Sequence, residues 1–418
     1  MNKTTEQHYL RAVTELGDTH RIIASQDIYS RSGVKLVATG VHITGKLYDR
    51  LVNHVLLKPI DMSLSSEEAI DVETIWSDTA NLIPGNKRLG RMVDIIDKRV
   101  PLQKVICAIR LPVPLAFKLL VAREKFSDIY QHSLSILIMS VYLADCDGMN
   151  PQELADIAFA SLFHDIGMMH IDPALFAPEH KMTRDERRHL YTHPLTAYLL
   201  LREFSELPET IAEAVLEHHE TMDGKGYPRG LSGNKISRYG QILSISEISA
   251  RALKPGSSAE QWLEIETMLK INFKQFGRKL IGYLGVLRDD ADAVAAAGTK
   301  ESGELETQVR RIAQFFTDFE LHERSGNSSK IFCFACSRLD DLKLVLLEAG
   351  FNPGNPDELI QRFADDPECR SGYAPLLKET FWQLNALILD ISRHWPDMAR
   401  AGKESAWLGV IEQTLAAA

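Results

Sequence analysis

The chain has 418 residues, of which 45% are apolar and 25% charged, and its formal net charge is −10. This length predicts two to three domains, and the ordinary globular composition excludes a disordered or fibrous protein. The acidic balance argues against a general binding surface for duplex nucleic acid, which needs clustered positive charge.

Cysteine usage and apolar runs predict where the protein resides. Five cysteines in a chain of this length indicate a reducing compartment rather than a disulfide framework. The first ten residues lack the apolar segment of a signal peptide. The longest apolar stretches, such as residues 134–144, are too short to span a bilayer. We therefore expect a cytoplasmic protein that does not cross a membrane.

The N-terminal part of the chain predicts a small α+β unit. Residues 21–61 alternate apolar and polar positions between glycine turns, which is typical of short strands. Helices are predicted over residues 43–56 and 65–82, the second because Ser65-Ser-Glu-Glu is typical of a helix N-terminus. We assign residues 1–85 to this α+β, β-rich segment.

From Lys87 onward the apolar spacing is almost entirely helical, so the fold class is mostly α. Helices are predicted over residues 126–146, 151–163, 183–202, 209–220 and 241–253. We expect a helical connector over residues 86–125, a core over residues 126–255, and a helical C-terminal region of unknown role over residues 256–418. In that last region Phe315, Phe316 and Phe319 are expected to form a core or a dimer seam.

Histidine is concentrated in one stretch of the chain. Seven of the 14 histidines lie between His164 and His219, in about an eighth of the sequence. Histidine is the commonest metal ligand among side chains and titrates near neutral pH. The clustering therefore predicts a metal or acid–base site.

Two motifs in this stretch differ in how specific they are. His164-Asp165 at a helix end is most simply a pair making local hydrogen bonds. His218-His219-Glu220, followed by Asp223-Gly-Lys-Gly-Tyr-Pro228, is hard to explain by core packing. A helix end supplies possible ligands there, and the glycines let the backbone approach a bound group closely.

Taken in order, these motifs resemble the HD-GYP family, whose members are HD-superfamily phosphohydrolases that cleave the bacterial second messenger cyclic di-GMP. The resemblance covers about residues 126–252 and implies a helical HD-type phosphohydrolase core. It implies metal ligands at Asp128, His132, His164, Asp165, His193, His218, His219 and Glu247.

The resemblance also implies roles in the reaction. Asp165 is expected to bridge two ions, and Asp165 and Tyr227 are the expected catalytic residues. Substrate binding is expected from Asp223, Gly224, Lys225, Gly226, Tyr227, Pro228, Arg229 and Arg251. Imidazole and carboxylate ligands suit transition metals. We expect two divalent ions, iron or manganese, or three if Asp128 also binds. Such ions about 3.5–4 Å apart can activate water and stabilise both oxygens of a phosphodiester displacement.

The chain departs from the family pattern at four places, of which one is Asp128, where members with three metal ions usually have a glutamate. Met168 replaces the lysine of the family's HDIGK motif, and Glu247 replaces its last aspartate ligand. Residues 254–258, Lys-Pro-Gly-Ser-Ser, stand where the family has a basic stretch containing tyrosine.

Three functions therefore remain open. The first is a metal-dependent phosphodiesterase that converts cyclic di-GMP to pGpG and, after a second cut, GMP. The second is a degenerate module that acts as a cyclic di-GMP sensor or protein-interaction platform. The third is a phosphohydrolase for another nucleotide. The expected macromolecular partner is a second copy of the chain or a signalling protein.

Overall fold

The computed structural model of the protein describes residues 3–177, 179–254, 256–287, 302–324, 330–365 and 367–394. The chain divides into two compact units. The first comprises Met1–Gly256 with Lys274–Tyr283, and the second comprises Ser257–Phe273 with Leu284–Ala418. Helices dominate both units, which confirms the predicted mostly α class. The four-part division expected from the sequence stays a prediction.

The first unit begins with α1 (Lys3–Leu16) and two small antiparallel strand pairs. Strand β1 (Ile22–Ala24) pairs with β4 (Leu64–Ser66), and β2 (Ile28–Tyr29) pairs with β3 (Lys35–Val37). The predicted β-rich leader is therefore present in the form of very short strands.

The helix predicted over residues 43–56 is much shorter in the structure. A 3-10 turn over Gly45–Leu47 leads into α2 (Tyr48–Val52), which has only five residues. Leu51 is the buried residue of α2, so the segment has too little apolar surface to support a longer helix.

The helix start predicted at Ser65 is wrong. Ser65 pairs with Ile23 in the sheet, and α3 (Val72–Leu82) begins after Asp71. The Asp71 carboxylate accepts a hydrogen bond from the backbone N–H of Thr74 at 2.8 Å. This is the contact that an N-cap residue makes.

The remaining helices of the first unit form the core around the histidine-rich stretch. They are α4 (Lys87–Ile96), α5 (Leu102–Cys107), α6 (Val113–Lys125), α7 (Ser127–Cys146), α8 (Pro151–Phe163), α9 (Arg184–Leu190), α10 (His193–Leu201), α11 (Glu209–Glu217) and α12 (Arg238–Ser249). Helix α7 packs along α8 and against α4, α6 and α12, and α11 packs against α8, α10 and α12. None of the described helices combines the length and the apolar composition needed to cross a bilayer.

The segment predicted as one helix over residues 183–202 is two helices, α9 and α10. Thr183 and Glu186 form a capping box at the start of α9. Helix α10 begins at His193, and Pro194 lies in its first turn. A proline fits there because its missing N–H has no partner to lose in the first turn, whereas inside one long helix it would break the backbone ladder.

The second unit is helical in its described parts. Its helices are α13 (Ala259–Ile271), α16 (Ser302–Arg324), α17 (Lys330–Glu348), α18 (Pro356–Asp365) and α19 (Pro367–His394). Most of α14 (Phe273–Phe276) and of α15 (Arg278–Leu284) belongs to the first unit. Phe315, Phe316 and Phe319 are buried in the apolar core of the second unit. These three aromatic residues are therefore core residues, one of the two roles expected for them.

Candidate metal centre

The HD pair lies where α8 ends. Asn150 and Glu153 form a capping box at the start of the helix, and Pro151 occupies its first turn. The C-terminal half of α8 is buried in the core, and His164, which directly follows the helix, is fully buried as well. Asp165 follows it and opens a 3-10 turn over Ile166–His170.

Asp165 is shared by two groups of potential ligands, whose nitrogen and oxygen atoms all lie within 4.8 Å of one another in each group. The two-histidine group consists of His132, His164, Asp165 and Glu247. The three-histidine group consists of Asp165, His193, His218 and His219. Helices α7 and α12 and the end of α8 thus supply the first group. The start of α10 and the end of α11 supply the histidines of the second group.

The two carboxylate oxygens of Asp165 face different groups. Oδ2 lies 3.6 Å from His164 Nε2 and 3.8 Å from His132 Nε2. Oδ1 lies 3.2 Å from His193 Nε2 and 3.6 Å from His218 Nε2. A carboxylate in this position can contribute one oxygen to each of two neighbouring cations.

Three of the histidines are held by backbone carbonyl groups three residues earlier in the chain. The Nδ1 atoms of His164, His193 and His218 lie 2.7, 2.8 and 2.6 Å from the carbonyl oxygens of Ser161, Leu190 and Val215. Because a carbonyl can only accept, Nδ1 carries the hydrogen in each ring. Each Nε2 lone pair is then directed at the centre, as in metal-ligating histidines.

This arrangement fits a bound cation. The Nε2 atoms of His193 and His218 lie 3.2 Å apart, and both are acceptors once Nδ1 carries the hydrogen. Two lone pairs at that distance repel each other unless a positive charge lies beside both. Among the described residues, His164 Nε2 and Asp165 Oδ1 are buried polar atoms with no hydrogen-bond partner, and a metal ion would satisfy both.

The electrostatics of the centre also favour a cation. Burial raises the pKa of Asp165, but the neighbouring imidazoles outweigh this effect and hold it well below its usual value. Burial lowers the pKa of His164, but Asp165 and Glu247 outweigh it and raise that pKa to about 9. For His219, burial and then the charge of His218 lower the pKa. The carboxylates therefore attract positive charge, while His219 stays neutral and able to bind a metal.

Gly167 lets the HD turn approach the start of α10. A Cβ at this position would lie 2.1 Å from the carbonyl oxygen of His193. Only glycine permits this approach, which brings His193 next to Asp165. The geometry of the three-histidine group thus depends on a residue that has no side chain.

Gly226 plays the same part in the loop after α11. Its Cβ would lie 2.5 Å from backbone atoms of His219, Glu220 and Thr221. The next residue, Tyr227, donates its backbone N–H to the carbonyl oxygen of His219 at 3.1 Å. The Tyr227 ring is then stacked on the His219 ring, with centroids 4.6 Å apart.

Glu217 and Glu220 fix the rest of this loop, and the sequence motifs gave neither of them a role. Glu220 is buried and accepts the backbone N–H groups of Arg229 and Leu231 at 2.6 and 2.8 Å. Glu217 is also buried, and its Oε1 lies 2.6 Å from the Arg229 guanidinium. The available signal was their position in the sequence, since Glu220 ends the His218-His219-Glu220 motif and Glu217 immediately precedes it.

The eight expected ligands are not all brought together. Seven of them form the two groups, whereas Asp128 is exposed and belongs to neither group in the described part of the chain. The position of Asp128 gives no support to a third ion. The other histidines of the cluster, His170, His180 and His189, also lie outside both groups.

The expected substrate-binding residues lie in different settings. Asp223 accepts a hydrogen bond from Thr221 Oγ1 at 2.7 Å and lies 3.5 Å from Lys225 Nζ, which is exposed. Gly224 has a φ of +78°, and Arg251 is exposed in a 3-10 turn after α12. Arg229 is engaged with Glu217, so its guanidinium supports the loop.

Comparison with known proteins agrees with these features. The HD domain family matches residues 118–272. The chain is 30% identical over 135 residues to the cyclic di-GMP phosphodiesterase response regulator RpfG of Xanthomonas campestris, covering 31% of this chain and 35% of that protein. It is 30% identical over 146 residues to a cyclic di-GMP phosphodiesterase of Thermotoga maritima, covering 33% and 40%.

A relative that is named for a different substrate matches a similar share of the chain. The 3'3'-cGAMP-specific phosphodiesterase 1 of Vibrio cholerae is 29% identical over 128 residues, covering 30% of this chain and 29% of that protein. The chain thus spans about a third of the length of the curated relatives it matches.

Proposed function

Because this chain belongs to the HD-GYP family of HD-domain proteins, we propose that its seven-residue centre hydrolyses cyclic di-GMP to pGpG and, after a second cut, to GMP. The observation that carries the proposal is the position of Asp165, whose two oxygens face two different ligand groups. The names of the relatives support a cyclic dinucleotide as the substrate class.

We propose iron or manganese as the cofactor, with two ions in the complete centre. Five imidazoles with two carboxylates form a donor set that suits these metals better than magnesium or calcium. When bound, such ions supply Lewis-acid activation of water and stabilise charge on the reacting phosphodiester. Asp165 joins the two groups, and the Nδ1–H bonds of three histidines keep their rings oriented before substrate arrives.

Tyr227 is the proposed proton donor. Burial and the nearby Asp165 charge raise the pKa of its phenol, so the hydroxyl keeps its proton at neutral pH. A phenol held beside the centre can donate that proton or a hydrogen bond to the leaving oxygen of the ribose. Lys225 is an exposed cation of the same loop and is proposed to contact a substrate phosphate.

A cyclic di-GMP sensor or interaction platform is the second candidate. One observation in its favour is Met168, which places a neutral side chain where the family has a lysine. The other is the ion pair between Arg229 and Glu217, because an arginine engaged with Glu217 is less available to a substrate phosphate. Fewer cations at the substrate phosphates would weaken turnover more than binding if they act mainly in the transition state.

The two candidates differ in one assay. Purified protein loaded with Mn²⁺ or Fe²⁺ is incubated with cyclic di-GMP, and separately with 3'3'-cGAMP, and the products are resolved by chromatography. We expect pGpG from the first substrate, and no product from His164→Ala or Asp165→Ala. His180→Ala is the matched control, since this histidine pairs with Glu186 outside both groups. Tight binding without turnover under both metals would contradict the enzyme.

A further inference from the structure

Three aromatic rings form a continuous stack beside the centre. The ring of Tyr191 lies 4.2 Å from that of Tyr227 with an interplanar angle of 20°. The ring of Tyr227 lies 4.6 Å from that of His219 with an angle of 24°. The stack therefore leads from a proposed metal ligand outward to Tyr191.

The middle ring of this stack has no free face. One face of Tyr227 is covered by His219 and the other by Tyr191, so Tyr227 can offer a ligand only its edge and its hydroxyl. Tyr191 is the outermost ring, and 43% of this residue is exposed to solvent. The aromatic face available to a ligand is therefore that of Tyr191.

The exposure of Tyr191 is not explained by packing. It lies in the two-residue turn between α9 and α10, and its backbone N–H donates to the carbonyl oxygen of Arg187 at 2.9 Å. Helix α9 has no buried residue, so the ring does not belong to an apolar core on that side. His193 follows two residues later and fixes the turn beside the centre.

An exposed ring at the end of an ordered stack suits a nucleobase. Bases stack on aromatic side chains, and such a contact contributes about 1–3 kcal/mol of binding when tested by alanine substitution. Proteins that bind unpaired nucleotides commonly use this contact. One ring, that of Tyr227, lies between Tyr191 and His219, with centroid distances of 4.2 and 4.6 Å. A cyclic dinucleotide can span the distance from Tyr191 to the centre.

We propose that Tyr191 is a base platform, on which one purine of a cyclic dinucleotide stacks while its phosphodiester lies at the Asp165 centre. This inference rests on the proposed function and adds to it a specificity-determining residue. The motifs of the sequence did not single out Tyr191, which follows the highly charged helix α9.

The test compares Tyr191→Ala and Tyr191→Leu with Tyr191→Phe in the full chain loaded with Mn²⁺. The ligand is a phosphorothioate analogue of cyclic di-GMP that resists hydrolysis, and its dissociation constant is measured by calorimetry. Inorganic phosphate, which has no base, is the second probe. Tyr198→Ala is the matched control, because this tyrosine lies on α10 with Arg202 rather than a histidine over its ring.

We expect Tyr191→Ala and Tyr191→Leu to bind the analogue about 5- to 150-fold more weakly, the range that corresponds to losing one base stack. Tyr191→Phe and Tyr198→Ala should bind it as the unmodified protein does. Phosphate affinity and manganese content should be the same in all variants. With substrate, the loss should appear mainly in KM.

Other results would overturn the inference in distinguishable ways. Unchanged analogue binding in Tyr191→Ala would overturn the platform and leave the proposed hydrolysis standing. Loss of manganese or of phosphate binding in both Tyr191→Ala and Tyr191→Leu would assign the ring a structural role instead. If the unmodified protein does not bind the analogue, both proposals fail. If binding of the analogue depends on Tyr191 but cyclic di-GMP itself is not hydrolysed, the platform is supported and the proposed hydrolysis is contradicted.

Discussion

The two ligand groups that share Asp165 differ in burial and in how their side chains are held. In the three-histidine group, His193 and His218 are buried and each is tied to a backbone carbonyl. In the two-histidine group, His132 and Glu247 have side chains that are 23% and 25% exposed and are bound to each other at 2.8 Å. The three-histidine group therefore has two buried rings fixed by the backbone, whereas the two-histidine group has one such ring, that of His164, and a side open to solvent.

This difference suggests a division of work. A site fixed by backbone contacts keeps its geometry whether or not substrate is present. A site with a solvent-accessible side can exchange a ligand and admit a phosphate oxygen. We therefore expect the three-histidine group to bind its ion more tightly, and the two-histidine group to respond more strongly to substrate.

The largest effect should come from Asp165→Ala, which removes the one residue common to both groups. Both ions should be lost, and hydrolysis should fall by more than about 10⁴-fold, as when a catalytic unit is removed as a whole. Metal content by mass spectrometry and product formation by chromatography measure the two losses. A variant that retains one ion per chain would show that the groups bind independently of Asp165.

Single substitutions should separate the groups. His218→Ala and His132→Ala should each reduce the metal content from two ions to one per chain. His218→Ala should also lower the free energy of unfolding of the metal-free protein by about 1–3 kcal/mol, because it opens a cavity and leaves a buried carbonyl unpaired. His132→Ala should change it by less than about 1 kcal/mol. Equal destabilisation in urea unfolding would remove the distinction between the groups.

Gly167→Ala should damage the three-histidine group without altering any ligand. The added Cβ must push the HD turn away from the backbone of His193, so we expect about 10- to 100-fold weaker binding of one ion, the scale seen when groups supporting a metal ligand are altered. Gly282→Ala is the matched control, because its Cβ meets no atom within 4 Å. Equal metal affinity in both variants would mean that the turn can shift freely.

The smallest effects should distinguish two cations of the Gly-Tyr-Pro loop. Arg229→Ala should lower the free energy of unfolding by about 1 kcal/mol, because the partly exposed guanidinium is the partner of buried Glu217. Lys225→Ala should leave stability unchanged and raise KM, since Lys225 is exposed. Urea unfolding and steady-state kinetics measure the two quantities. Loss of affinity alone in Arg229→Ala would restore its predicted role in substrate binding.

The seven residues of the two groups carry different signals in the sequence. His164, Asp165, His218 and His219 stand in adjacent pairs at helix ends, whereas His132, His193 and Glu247 were indicated only by the family resemblance. Asp128 lies outside both groups, because its place one turn before His132 gives the direction of a helix face but not the reach of a short side chain. Local spacing therefore indicates candidate metal ligands, and tertiary distances decide which of these candidates lie together.

The surroundings of the site were less predictable. The capping box at Thr183 marks the start of a helix but does not indicate where that helix ends. The break between α9 and α10 depends on Pro194, which fits the first turn of a new helix. The stacking of Tyr191 depends on that break and on Gly226, which lie far apart in sequence. Contacts of this kind follow from packing between elements, and no periodic pattern encodes them.

The most direct test of the account is a crystal structure of the manganese-loaded protein with anomalous diffraction data. We predict two anomalous peaks about 3.5–4 Å apart, one beside each oxygen of Asp165, with His132, His164 and Glu247 on one side and His193, His218 and His219 on the other. A single peak, or peaks that Asp165 does not join, would contradict the account.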